Sequence, residues 1–190
     1  MIKKEIPLRE MRRRDRAVTD EAWIRTMLHS TATGVLATVR DDQPFVNSNL
    51  FVYVEDANAI YLHTARTGET RTNVERNERV AFTVFELGRL LPSDTALEFS
   101  AEYASVTVLG RAAIVADRDE ANRALQALLD KYWPELQAGT DYHRPTDEDL
   151  DRTTVYRVSI ESWSGKRKVV PEEFPGAKPP SQPSMLTRGS

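Results

Sequence analysis

From residue 34 onward the chain is built mainly of short segments that alternate apolar and polar side chains at hairpin spacing, and this pattern limits the possible folds more than any other feature. Residues 34–40 read as one strand, Asp41-Asp42-Gln43-Pro44 as a turn, and 45–54 as a second strand rich in β-branched and aromatic residues. After Glu55-Asp56-Ala57-Asn58 comes a third strand at 59–64, then a fourth centred on Val80, Phe82 and Val84. Residues 98–115 predict one long bent strand or two, with Gly110 marking a bulge or corner, and 155–160 predict the last core strand. Residues 87–96, which hold Gly88, Pro92, Ser93 and Asp94, read as an irregular loop.

Helical patterns interrupt this meander rather than alternate with it. Thr19 is placed to cap a helix that carries Trp23, Ile24, Met27 and Leu28 to His29, and residues 69–77 fit a short polar helix. Ala121, Ala124, Leu125, Leu128, Leu129 and Tyr132 follow the strongest helical period in the chain, stopped by Pro134. The tally is about six strands, two clear helices and one short one, which predicts a mainly β fold: an antiparallel barrel with flanking helices, not a doubly wound sheet.

The 190 residues fit one domain with flanking segments: a basic arm over 1–17, the barrel over 18–168, and a Pro-rich, disordered tail over 169–190. The net charge of -3 supplies no global field for nucleic acid, and the arginines of the arm read as a solvated segment packed on a subunit. With no cysteine, thiolate chemistry, iron–sulfur clusters and common structural zinc sites are excluded, and His29, His63 and His143 stand too far apart in sequence to announce a metal triad. The opening lacks a signal-like apolar region and no segment is long enough to span a bilayer, which predicts a cytoplasmic protein with no membrane partner. Phosphate-loop, dinucleotide-fingerprint, nucleophile-elbow and zincin motifs are all missing.

The segment from Tyr61 to Asn73 carries the most chemistry. A strand delivers the chain to Thr67-Gly68, a helix follows, and Thr64, Thr67, Thr70, Arg66 and Arg71 are side chains suited to an anion at a helix start. Thr67 as a simple cap and the arginines as solvated charges are the competing reading, and Glu69 opposes an anion.

With these residues in place, the chain resembles the flavin-binding split-barrel family related to pyridoxamine 5'-phosphate oxidase, and within it the nitroimidazole-reductase branch. The likeness rests on an ordered set: Met11-Arg12-Arg13-Arg14-Asp15-Arg16, Gly34-Val35-Leu36-Ala37, Pro44-Phe45-Val46-Asn47-Ser48-Asn49, Ile60-Tyr61-Leu62-His63-Thr64-Ala65, Thr67-Gly68, the run from Asn73 to Phe82, Tyr103-Ala104-Ser105-Val106, Gly110 and Gly165-Lys166. The resemblance implies a six-stranded split barrel and a homodimer holding FMN at its interface. By the same likeness Asn47, Ser48, Asn49 and Leu50 run along the flavin edge, and His63, Thr64 and Ala65 approach the ring or ribityl chain. Thr67, Gly68, Thr70 and Arg71 hold the phosphate, although that branch typically carries a lysine near position 70. Tyr103, Ser105, Trp163 and Lys166 come from the partner subunit or the barrel rim, each having an ordinary structural role as its alternative.

The activity implied is transfer of electrons from a reduced nicotinamide to a small aromatic, nitro or quinone-like acceptor, with His63 as the candidate proton donor. The same barrel using a deazaflavin, FAD or haem, or serving as a non-catalytic flavin-binding or sensor protein, is the alternative. No basic residues are evident for a second, substrate phosphate, which disfavours pyridoxamine 5'-phosphate oxidation itself.

Overall fold

A computed structural model describes residues 13–180, so the expectations for residues 1–12, including the start of the arginine run, and for 181–190 lie outside the described residues. Among the described residues eight strands form one curved antiparallel sheet in the order β3-β2-β6-β7-β8-β5-β4, with the two-residue β1 (Ala17–Val18) pairing to β8. The strands are β2 (Gly34–Arg40), β3 (Gln43–Asn49), β4 (Val52–Val54), β5 (Ala59–Ala65), β6 (Arg79–Leu91), β7 (Ser100–Ile114) and β8 (Thr153–Lys168). The helices are α1 (Glu21–Ser30), α2 (Glu69–Arg76), α3 (Arg118–Tyr132) and the short α4 (Asp147–Arg152). This is the antiparallel barrel with flanking helices that the alternation predicts, and the split form that the family resemblance implies; β1 and the division of the second strand account for the count above six.

That division has a local cause. Between β3 and β4 the chain turns a corner at Leu50-Phe51, and Phe51 leaves the ladder: its N–H donates to the Tyr132 hydroxyl at 3.0 Å, and that hydroxyl faces the carbonyl oxygens of Ala32 at 2.6 Å and Phe51 at 3.0 Å. A residue at the end of α3, 81 positions away, thus satisfies backbone groups that a continuous strand would have paired. The N-cap of α1 is Asp20 rather than Thr19, its carboxylate accepting from the N–H groups of Ala22 and Trp23.

Alternation along the strands sorts side chains into two cores. Leu36, Phe82, Val84, Val106, Val108, Ile60, Leu62, Tyr156 and Val158 face the barrel interior, which α1 closes with Ile24, Met27 and Leu28. Val52, Ala59, Tyr61 and Val155 face outward and are covered by the apolar stripe of α3. Burial of each large apolar side chain is worth roughly 1.5–3 kcal/mol.

The residues expected to form a loop at 87–96 instead extend β6 to Leu91, with a register shift between Leu87 and Leu90. Gly88 sits at that irregularity and Pro92 lies just past the strand end, so both breakers have places that do not break the strand. A long-range clamp holds the extension: Arg89 donates to Glu102 through Nε at 2.8 Å and Nη2 at 2.9 Å, and to the carbonyl oxygens of Val170, Pro171 and Glu172. Through these bonds and a bridge between Leu90 and Lys178, part of the Pro-rich segment lies along the β6–β7 hairpin.

Gly110 fulfils its expected role as the mark of a bulge. The register of β7 on β8 shifts by one between Leu109 and Gly110, leaving Glu161 as the extra residue on β8. Before the bulge Tyr156 and Val158 point inward; after it Trp163 and Gly165 do, and Ser164 and Lys166 turn outward.

Candidate functional site

Two free strand edges define the place where the barrel is split. β3 pairs only with β2, and the second half of β5, from Leu62 to Ala65, pairs only with β8 because β4 covers β5 no further than Tyr61. Their outer N–H and C=O groups are therefore not used by the sheet. α2 starts four residues beyond the end of β5 and spans the opening: the Asn47 amide on β3 donates to the Thr70 hydroxyl on α2 at 3.3 Å.

The buried face of α2 is polar, which is costly unless it has a use. Thr70, Asn73 and Val74 recur at i, i+3 and i+4, and all three are buried. Asn73 is completely buried; its amide donates to Thr38 at 3.0 Å while its Oδ1 accepts no hydrogen bond. Asn49 lies on the same face as Asn47, its amide donating to the Asn47 carbonyl at 2.7 Å.

At the start of α2, Gly68 has a φ of +148°, a conformation that side-chain-bearing residues rarely adopt, and a Cβ there would meet nothing within 4 Å. No side chain caps this helix end, so its first N–H groups are available to an anion. The obstacle posed by Glu69 is removed by Arg40, whose Nη1 stands 2.9 Å from its carboxylate. Arg71 is held by Glu75 at 2.8 Å, by the Thr154 hydroxyl at 3.1 Å and by the Arg66 carbonyl at 3.3 Å, which fixes its guanidinium beside the end of β5. Thr64 meets the Tyr156 hydroxyl at 3.1 Å, and burial raises that phenol's pKa against the bond to Thr64 and the nearby Arg71 charge.

The expected site residues occupy five places within one chain. Asn47, Asn49, Thr64, Thr67, Gly68, Thr70 and Arg71 gather around the split. Leu50 and His63 line a cavity of about 590 Å³ on the α3 side, where desolvation lowers the imidazole pKa from 6.5. Ser48 and Ala65 follow the alternation onto the outer faces of their strands.

Tyr103, Ser105 and Lys166 stand on the convex face of the sheet, away from the split. Burial acts to raise the Tyr103 phenol, but Arg16, donating at 3.1 Å, and Lys166, 5.4 Å from the ring centroid, together bring it below 10.0. Trp163 packs on the barrel core against Tyr53, with the Arg25 guanidinium 4.8 Å from its ring centroid, which is a structural role. Sequence reasoning missed Thr38, Asn73, Thr154 and Tyr156; for Asn73 the signal was present, since it shares a helical face with Thr70 and Val74.

Among the described residues no group of His, Cys, Asp and Glu is placed to hold a metal, and no helix is long and apolar enough to cross a membrane. A sheet split between two free edges, with a helix N-terminus at the gap, places the chain in the class of split β-barrels. Residues 20–167 match the family model described as pyridoxamine 5'-phosphate oxidase, and the chain belongs to that family.

Similar solved structures include the flavocytochrome Anf3 from Azotobacter vinelandii, at 22% identity and TM-score 0.74 over 95% of this chain and 86% of that one. The FAD and heme binding protein from Mycobacterium smegmatis is 22% identical with TM-score 0.72, over 80% of this chain and 73% of that chain. An FAD-binding protein from Mesorhizobium loti is 21% identical with TM-score 0.59, over 81% and 98%. At these identities the likeness is one of fold. No curated protein matches the sequence.

Proposed function

We propose that the chain binds a flavin, FMN in the first instance, in the split between β3 and β5, and works as an oxidoreductase on a small aromatic, nitro or quinone-like acceptor. The observation that carries this reading is the joint presence of free strand edges, a buried polar helix face and an uncapped helix start at one opening. The free edge of β3 offers backbone donors and acceptors suited to the flavin's ring nitrogens and carbonyl oxygens. Thr67, Thr70, the N–H groups after Gly68 and the positioned Arg71 suit a phosphate. The names of the Anf3 flavocytochrome and the two FAD-binding relatives support a flavin in this fold.

When bound, the flavin supplies transfer of reducing equivalents from a reduced nicotinamide. The chain's own residues orient the reactants and exclude water. His63, whose imidazole pKa partial desolvation lowers from 6.5, offers a ring N–H to an acceptor's oxygen.

The convex face of the sheet supports a homodimer. Val46 is 63% exposed on β3 and Phe85 58% on β6, and Tyr103 and Lys166 lie on the same face. An absorbance spectrum of the purified protein, with FMN added and excess removed by gel filtration, tests the reading. Flavin bands eluting with a dimer support it; a colourless protein that rejects FMN and FAD overturns it.

A further inference from the structure

The cavity beneath α3 is distinct from the split, although Leu50 and His63 bring the two together at the β3–β4 corner and the free half of β5. Its walls come from Leu125, Leu128 and Leu129 on α3, and Trp133 and His143 stand at its outer side. Three chemical features limit what fits there.

The volume, about 590 Å³, is that of a small-molecule site. Aromatic and leucine side chains dominate the lining, which favours a flat apolar body. Among the described residues no lysine or arginine lines it, and the one carboxylate there, Asp149, is spent on the Thr146 N–H at 2.9 Å and hydroxyl at 2.8 Å. An anionic group held inside the cavity therefore finds no countercharge, which favours an uncharged ligand over a phosphorylated one. The polar groups left to donate are the imidazoles of His63 and His143, the Thr153 hydroxyl and the Tyr142 hydroxyl, which accepts from the Gln126 amide at 2.7 Å; of these the two imidazoles present a ring N–H to a planar ligand.

We infer that this cavity is the acceptor-binding site, and that it takes an uncharged, planar aromatic carbonyl compound of the quinone class, its oxygen hydrogen-bonded by His63 or His143. The inference rests on the flavin reading for the source of electrons but not for the binding event.

The test is equilibrium dialysis of the full-length protein, with and without added FMN, against 2-methyl-1,4-naphthoquinone and 1,4-naphthoquinone-2-sulfonate. Saturable binding at one site per chain, at least about tenfold tighter for the neutral compound, is expected with or without FMN. Leu125→Arg should invert the preference by admitting the sulfonate, while FMN affinity stays at the wild-type level. His143→Ala, on an exposed loop, should weaken the neutral quinone by about two- to tenfold, the loss of one hydrogen bond. Absence of saturable quinone binding, equal affinity for the two compounds, or displacement of the quinone by added haem would overturn the assignment. Failure to bind FMN while the quinone still binds would sink the flavin reading alone.

Discussion

Replacing Gly110 by alanine tests how firmly the bulge sets the architecture. A Cβ on Gly110 would stand 2.1 Å from the Ser159 carbonyl oxygen and 3.1 Å from its carbon. A carbon–oxygen contact settles near about 3.3 Å, so the Ser159 peptide must retreat by roughly 1 Å. That peptide belongs to the β7–β8 ladder, where Arg111 pairs with Ser159 and Gly110 with Ile160. Loss of one or two ladder hydrogen bonds, at about 1 kcal/mol each, adds to overpacking strain of about 1–3 kcal/mol, for a total of about 2–5 kcal/mol.

For a chain of this size such a loss lowers Tm by roughly 4–20 °C. Thermal unfolding followed by far-UV circular dichroism, with chemical denaturation as a second measure, reads the effect. Gly68→Ala is the control for backbone strain without a clash: its Cβ meets open space, leaving only the strain of φ +148° and ψ 173°, about 1–3 kcal/mol. A Gly110→Ala protein melting within about 2 °C of wild type, or no lower than Gly68→Ala, would show that the ladder yields freely and that the close approach does not hold the bulge.

Other consequences are open to direct measurement. Arg71→Ala should weaken FMN binding by about 1–3 kcal/mol, read by fluorescence titration; unchanged affinity would remove Arg71 from the phosphate site. Burial lowers the Lys131 ammonium to about 8 from 10.5, so the folded state holds fewer protons than the unfolded between those values and stability should rise with pH across that window. Tyr61, buried and bonded to Glu120, is pushed up to about 12, so it acts oppositely above pH 10. Chemical denaturation of Lys131→Met should lack the rise from pH 8 to 10, and a wild-type-like rise would assign it to another group. Phe85→Asp should convert a dimer to a monomer by light scattering, since it puts a charge on the uncovered sheet face; a persisting dimer would place the interface elsewhere.

The sequence by itself determined the class of fold. Alternation is a local property, so β2, β5 and the core of β6, the bulge at Gly110 and the stripe of α3 were legible within a few residues of their observed places. The break at Leu50-Phe51 and the continuation of β6 past Gly88 were not, because both are settled by distant partners, the Tyr132 hydroxyl and the Arg89–Glu102 clamp. The same division holds for the site. Residue types around Thr67-Gly68 suited an anion at a helix start or a simple cap, and only packing revealed that Arg40 pairs with Glu69, that Asn73 is buried with an unused oxygen, and that His63 faces the α3 cavity while Thr64 faces the split. Strand pattern is fixed by neighbours in sequence; which free edges, charges and cavities finally meet is fixed by how the sheet curves and what closes over it.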